Sequence, residues 1–158
     1  MRMYKISLYP ILVFMFTGGI MFFSFCFMGL NEILSHIYLS IVGLFFSFVF
    51  LVYSLYLLRK RREGKGFYWD DEGIVIDLKG NKVYWDEIED IKYFKGRGGA
   101  SKSTVIYPHY TNHEKIRIRR KNWMPTTAHS IDWFLIEKPK EMHRNLMKTW
   151  EEKSNQKN

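Results

Sequence analysis

The hydrophobic and polar positions divide this chain into two unlike parts. From Ile6 to Leu30 it reads ISLYPILVFMFTGGIMFFSFCFMGL, and from Ile37 to Leu58 IYLSIVGLFFSFVFLVYSLYLL, with no charge in either run. A helix needs roughly 20 apolar residues to cross the hydrocarbon of a bilayer. A buried helix of a soluble domain is rarely apolar on every side for so long. The pattern predicts two membrane-spanning helices, at about 6–30 and 37–58. A cleaved signal peptide fits the first run badly, because the run is too long and no small-x-small cleavage site follows it. Gly18 and Gly19 in the first run, and the Gly43/Ser47 pair in the second, are small residues that let helices approach closely. They suit packing within one hairpin or between the copies of a homo-oligomer.

After Leu58 the apolar runs shorten and take on the grammar of strands. Phe67–Trp69, Ile74–Ile76 and Lys82–Trp85 are aromatic or β-branched stretches, separated by turn chemistry at Asp70–Gly73 and Lys79–Asn81. Further strands are expected at Thr104–Tyr110, Glu114–Lys121 and Ile131–Glu137, with loops at Lys95–Ser103 and Asn122–Ser130. In 86–94, Ile88, Ile91 and Phe94 recur at every third position, which suits either a helical turn or a bulged strand. Pro139 opens a helix over 139–153 with Met142, Leu146, Met147 and Trp150 on one face. The expected fold class is membrane-anchored α+β. A two-helix transmembrane hairpin, 1–62, precedes a small antiparallel, barrel-like β domain, 63–158, closed by its C-terminal helix.

Charge adds an orientation. The 158 residues carry a net +8, nearly all of it after Leu58. Arg2 and Lys5 precede the first span, and Arg59, Lys60, Arg61 and Arg62 follow the second. The loop between holds Glu32 and His36 but neither Lys nor Arg. Cytoplasmic flanks are enriched in Lys and Arg, so both termini are expected in the cytoplasm, with the domain at the inner face of the cell membrane. The four-cation cluster also suits anionic headgroups, at about 1 kcal/mol per cation. Neither span holds an ionisable group at mid-depth, so they read as an anchor rather than a conduit. Cys26 is the single cysteine, so no intrachain disulfide forms.

The run DDEGIVID followed by GNKVYWDEIEDI resembles the opening of bacterial pleckstrin-homology-like (PH-like) domains. Asp71, Glu72, Gly73 and Ile74 match that family's turn and strand, and Val83, Trp85 and Ile88 match its hydrophobic-x-Trp-x-x-Ile signature. The final helix fits the same plan, and the resemblance spans roughly residues 66–153. It implies a β domain with a C-terminal helix, placed after two transmembrane helices as in small bacterial membrane proteins, some of them similar to toxin-immunity proteins. It implies no catalytic residues.

Residues with catalytic or metal-binding potential are few and poorly arranged. His109 and His113 stand four apart, but in a strand-and-turn context, and a zinc site wants three or four ligands. The GRGG of Gly96–Gly99 leads into a strand rather than a helix, unlike a phosphate-binding loop. Carboxylates at Asp70, Asp71, Glu72, Asp86, Glu87, Glu89 and Asp90 occupy turn positions and read as a solvated face. No nucleophile set is evident, and no catalytic, cofactor or metal site is assigned. The strongest signal is KIRIRRK. On a strand, Lys115, Arg117, Arg119 and Lys121 share one face while Ile116 and Ile118 share the other. Together with Arg59–Arg62 these cations are the candidate partner- or lipid-binding residues. Tyr and Trp are also frequent after Leu58, a composition typical of interfaces when they lie near Arg.

These readings converge on a non-enzymatic, membrane-anchored binding or scaffold protein that engages a protein partner at the inner membrane face. A toxin is the partner that the immunity-protein resemblance implies. The alternative is a sensor of anionic lipid headgroups. A membrane enzyme or transporter subunit has less support, and no nucleic-acid motif is present.

Overall fold

The computed structural model describes residues 3–96 and 101–155. Two compact units emerge, one of Ser7–Glu63 and one that joins Met1–Ile6 to Gly64–Asn158.

The first unit is a helical hairpin. Helix α1, Leu8–Phe27, begins at Ser7, whose hydroxyl caps the amide of Tyr9 at 3.2 Å. A short helix α2, Leu30–Ser35, leads into α3, Ile37–Arg62. Both α1 and α3 are long and apolar enough to cross a membrane. Up to Leu58 their outward surfaces are largely apolar, with Phe16, Phe23, Phe45 and Phe48 all more than 60% exposed. A soluble surface seldom carries so much contiguous hydrocarbon.

The seam between α1 and α3 is built from small and polar residues. Ser40, Ser47 and Ser54 recur every seven positions along α3 and are all buried. Ser47 donates its hydroxyl to the Gly18 carbonyl at 2.8 Å, and Ser54 donates to the Ile11 carbonyl at 3.2 Å. At Gly18 a Cβ would meet Leu51 Cγ and the Ser47 carbonyl oxygen at 3.0 Å, whereas at Gly19 it would meet nothing within 4 Å. The two adjacent glycines therefore behave differently. Gly18→Leu is expected to cost about 1–3 kcal/mol by overpacking. Gly19→Leu should stay within about 0.5 kcal/mol of wild type. Thermal unfolding of the two variants in detergent checks the contrast.

Among the described residues, the second unit has seven strands and two α-helices. Strand β1, Met3–Lys5, precedes the hairpin and pairs with β2, Gly66–Tyr68, which follows it. Strand β3, Gly73–Val75, pairs with β4, Lys82–Tyr84. A 3₁₀ turn at Trp85–Glu87 leads into β5, Ile88–Lys95, which pairs with β6, Lys102–Pro108, and β6 pairs in turn with β7, His129–Asp132. Every pairing is antiparallel, and the result is three small sheets. Isolated bridges at Trp69↔Ile74 and Ile6↔Ile136 join them. Helix α4, His113–Arg120, lies between β6 and β7, and α5, Pro139–Asn155, ends the described chain.

Residues 88–95 are a strand with a register shift between Ile88 and Asp90, the bulged-strand alternative for 86–94, and a 3₁₀ turn at Trp85–Glu87 precedes it. The expected strand at 131–137 ends at Asp132 and continues as a 3₁₀ turn, Trp133–Leu135. Gly73 lacks the positive φ of a turn glycine and is needed for close approach, because a Cβ there would collide with the Val83 carbonyl oxygen. Gly80, at φ 88°, makes the second turn. Trp85 is buried, stacks on Trp150 and donates its indole N–H to the Asp70 carbonyl at 2.8 Å. Met142 and Leu146 of α5 complete a core with Ile74, Val83, Ile106 and Ile131.

The largest departure concerns 114–121. The expected strand is helix α4, so Lys115, Arg117, Arg119 and Lys121 do not form a stripe. Alternation in KIRIRRK satisfies a strand, but Glu114 in the first turn and Arg117, Arg119 and Arg120 in the last suit the helix dipole. Arg117 also pairs with Glu114 three residues back. Only Ile116 enters the core, while Ile118 faces solvent.

Candidate functional site

Helix α4 is held by a buried carboxylate. Glu87 lies in the 3₁₀ turn before β5, wholly inaccessible to solvent. Positions four apart on a helix share a face, and Lys115 and Arg119 both turn toward it. Arg119 grips Glu87 with two N–H groups at 2.8 and 2.6 Å, and Lys115 Nζ stands 3.6 Å away. The Tyr84 amide donates to the same carboxylate at 3.0 Å. Arg119 also donates to the Lys82 carbonyl at 2.8 Å and lies over the Tyr84 ring at 4.4 Å. Burial pushes the Glu87 carboxyl up, but Arg119, the Tyr84 amide and Lys115 outweigh it and hold it below its ordinary value. This carboxylate, counted in the sequence as part of a solvated turn, is the organising residue of the region.

The remaining cations of α4 have separate tasks. Arg117 folds back on Glu114 and donates to the Asn122 carbonyl at 3.1 Å. Arg120 donates to His129 Nδ1 at 2.8 Å and reaches Asp77 at 3.4 Å. Lys121 takes the left-handed conformation, φ 54°, that ends the helix. Of the cluster at the end of α3, Arg59 and Lys60 share Glu63 at 2.9 Å each. Arg61 and Arg62 occupy the same last turn, and Arg2 lies outside the described residues.

His129 is buried, and because Arg120 can only donate, its Nδ1 must be unprotonated. Its Nε2 has no hydrogen-bond partner among the described residues. Burial, followed by the Arg120 charge, lowers its pKa to about 4, with His113 and Arg119 adding to the depression and Asp77 opposing it. The unfolded chain protonates this histidine near 6.5 and the folded chain does not until about 4. Stability from this group is therefore complete above pH 6.5 and falls away as pH drops toward 4. His129→Gln keeps an acceptor for Arg120 and cannot titrate, so it should flatten the loss of stability between pH 6.5 and 4 in urea unfolding followed by tryptophan fluorescence.

Two further polar groupings are structural ties. Thr104 is fully buried, accepts the Trp133 indole N–H at 3.0 Å and is hydrogen-bonded to His143 Nδ1 at 3.0 Å. A hydroxyl beside an imidazole can serve as a nucleophile, but one enclosed on all sides and engaged by an indole is out of a substrate's reach. Asp70 accepts the amides of Glu72 and Gly73 and the Lys82 ammonium at 2.7 Å. His109 and His113 do not converge: His109 bonds Thr111, and His113 bonds the Pro108 carbonyl. No group of three or more His, Cys, Asp or Glu able to hold a metal occurs among the described residues. The GRGG stretch after Gly96 lies outside them.

The outer face of β5–β6–β7 is the other candidate surface. Strand alternation sends Ile91, Ile106 and Ile131 into the core and leaves Phe94, Val105 and Tyr107 on the opposite side. With Lys102, Ser130 and Asp132 they line a shallow depression of about 420 Å³. Phe94 is 53% exposed there. Compared with models of known families, with curated proteins and with solved structures, the chain matches none.

Proposed function

We propose that the chain is a non-enzymatic, membrane-anchored binding protein. Its sheet unit, PH-like in plan, engages a protein partner at the cytoplasmic face of the cell membrane. The observation that carries this reading is the largely apolar exterior of Leu8–Phe27 and Ile37–Leu58, each long enough to cross a membrane and continuous in the chain with a folded sheet unit. The pairing of β1 with β2 supports an even number of crossings, since strands on either side of the hairpin must share a compartment to pair. The positive flank after α3 supports the cytoplasm as that compartment. The depression around Phe94, with apolar and charged groups side by side, is the surface best suited to a protein. A toxin partner is the specific form that the immunity-protein resemblance implies.

Crosslinked co-purification of the full chain from native membranes, with mass spectrometry, tests this reading. The comparison is Phe94→Asp, which alters the exposed face and leaves the core intact. Arg119 is unsuitable for that purpose because it holds Glu87. A protein captured by the wild type and lost with Phe94→Asp supports a binding module. Capture of no protein over control shifts the reading to an anionic-lipid sensor.

A further inference from the structure

The geometry points to a bilayer-docking tip on the sheet unit: Trp123 and Met124, flanked by Lys121 and Lys79, engage the surface of an anionic membrane. This rests on the membrane-anchored reading and adds to it a second, reversible contact with the same bilayer. Trp123 is 89% exposed and Met124 65% exposed, in a run where residues 123–127 all face solvent. An aromatic ring with a polar N–H, beside a flexible thioether, suits the headgroup boundary, where one side is wet and the other apolar.

The tip sits at the end of the sheet unit where the chain connects to the helices. Lys5 and Gly66, opposite each other in register, close the β1–β2 ladder on the side that faces the hairpin in sequence. Because β2 and β3 run antiparallel through the Trp69↔Ile74 bridge, the Asp77–Asn81 turn lies at the Gly66 end. Arg120 reaches Asp77 in that turn. The loop that follows is fixed to the helix end, with the Asn122 amide on the Arg117 carbonyl and the Lys121 amide on the Ile118 carbonyl. Gly66 follows α3 by four residues, a tether whose full reach is at most about 14 Å.

Charge selects the occupant. Three acidic groups around α4 are already engaged, Asp77 by Arg120, Glu87 by Arg119 and Glu114 by Arg117, and the exposed Asp86 acts on Arg119. Lys79 and Lys121 are exposed and form no ion pair among the described residues. The surface left over is cationic around an apolar tip, and it complements anionic lipid.

A spin label at Met124→Cys, in a full-length Cys26→Ala chain reconstituted in vesicles, tests the tip. The vesicles contain phosphatidylglycerol with phosphatidylcholine, or phosphatidylcholine alone. Accessibility to oxygen is compared with accessibility to a water-soluble nickel chelate. In the anionic vesicles the label should favour oxygen several-fold over a label at Asp71→Cys, placed in the turn at the opposite end of β2 and β3. Lys79→Gln and Lys121→Gln should each lower the docked-to-undocked ratio roughly fivefold. A label that stays aqueous in both lipids, while one at Phe48→Cys lies in hydrocarbon, overturns the tip and spares the anchor. An aqueous Phe48 label overturns both. A Met124 label shielded from both reagents shows a protein contact and also overturns the proposal.

Discussion

Replacing Arg119 with methionine is expected to destabilise the sheet unit by about 3–5 kcal/mol, because it strands a buried charge on Glu87. Domains of this kind have roughly 5–15 kcal/mol in total, so the variant should be close to unfolding at ambient temperature. The pH dependence separates this cause from simple loss of packing. In the wild type Glu87 is held below its ordinary value, so its contribution is present above about 4.5 and lost as pH falls through the folded value. Without the guanidinium, desolvation raises the carboxyl instead. The variant's added penalty is then absent at low pH and grows as pH rises past about 4.5. Adding Glu87→Gln, which keeps an acceptor for the Tyr84 amide and carries no charge, should recover a large part of the loss. Urea unfolding across pH, followed by tryptophan fluorescence, reads all three chains. A penalty for Arg119→Met that stays constant with pH would rule out the stranded charge.

The second large effect concerns the residues before the first helix. Tyr4 and Ile6 are in the core of the sheet unit, although 57 residues of hairpin separate them from the rest of it. Tyr4 stacks on Trp69 and accepts from the Asn145 amide at 2.8 Å, and Ile6 bridges Ile136. Ile6→Ala alone should cost about 2–5 kcal/mol. A fragment of residues 63–158 lacks the partner of β2 as well, and it is expected to lose cooperative unfolding. Joining residues 1–6 to Gly64 through a short Gly/Ser linker in place of the hairpin should restore it, since Lys5 and Gly66 already face each other in register. Denaturation of the fragment and of the linked chain decides the matter. A fragment as stable as the linked chain would show that β1 is dispensable.

The two mispredicted elements share a cause. Apolar runs, turn residues and the α5 face are local patterns, and the sequence expresses them directly. Strand β1 is three residues long, abuts the first apolar run and acquires its meaning only from β2, far along the chain. Helix α4 has the alternation of a strand. What decides its form is distant: Glu87 needs cations four apart, and Lys115 and Arg119 supply them only on a helix. The local hint was Glu114 before Arg117, with acid first and base last. For the same reason the predicted cationic stripe dissolved into separate contacts, and Glu87 was passed over as one carboxylate among many. Composition places Trp123 and Met124 in a loop, but their exposure depends on where α4 ends, at the Lys121 cap.

The most direct test of the account is the topology of the chain in bacterial cells. Single cysteines at Glu32, in the link between the helices, and at Asp71, in the sheet unit, are introduced in a Cys26→Ala chain and treated with a membrane-impermeant maleimide. The account predicts that Glu32→Cys reacts in intact cells and Asp71→Cys reacts only after the inner membrane is permeabilised. Labelling of Asp71→Cys in intact cells, or recovery of the chain as a soluble protein, would contradict it.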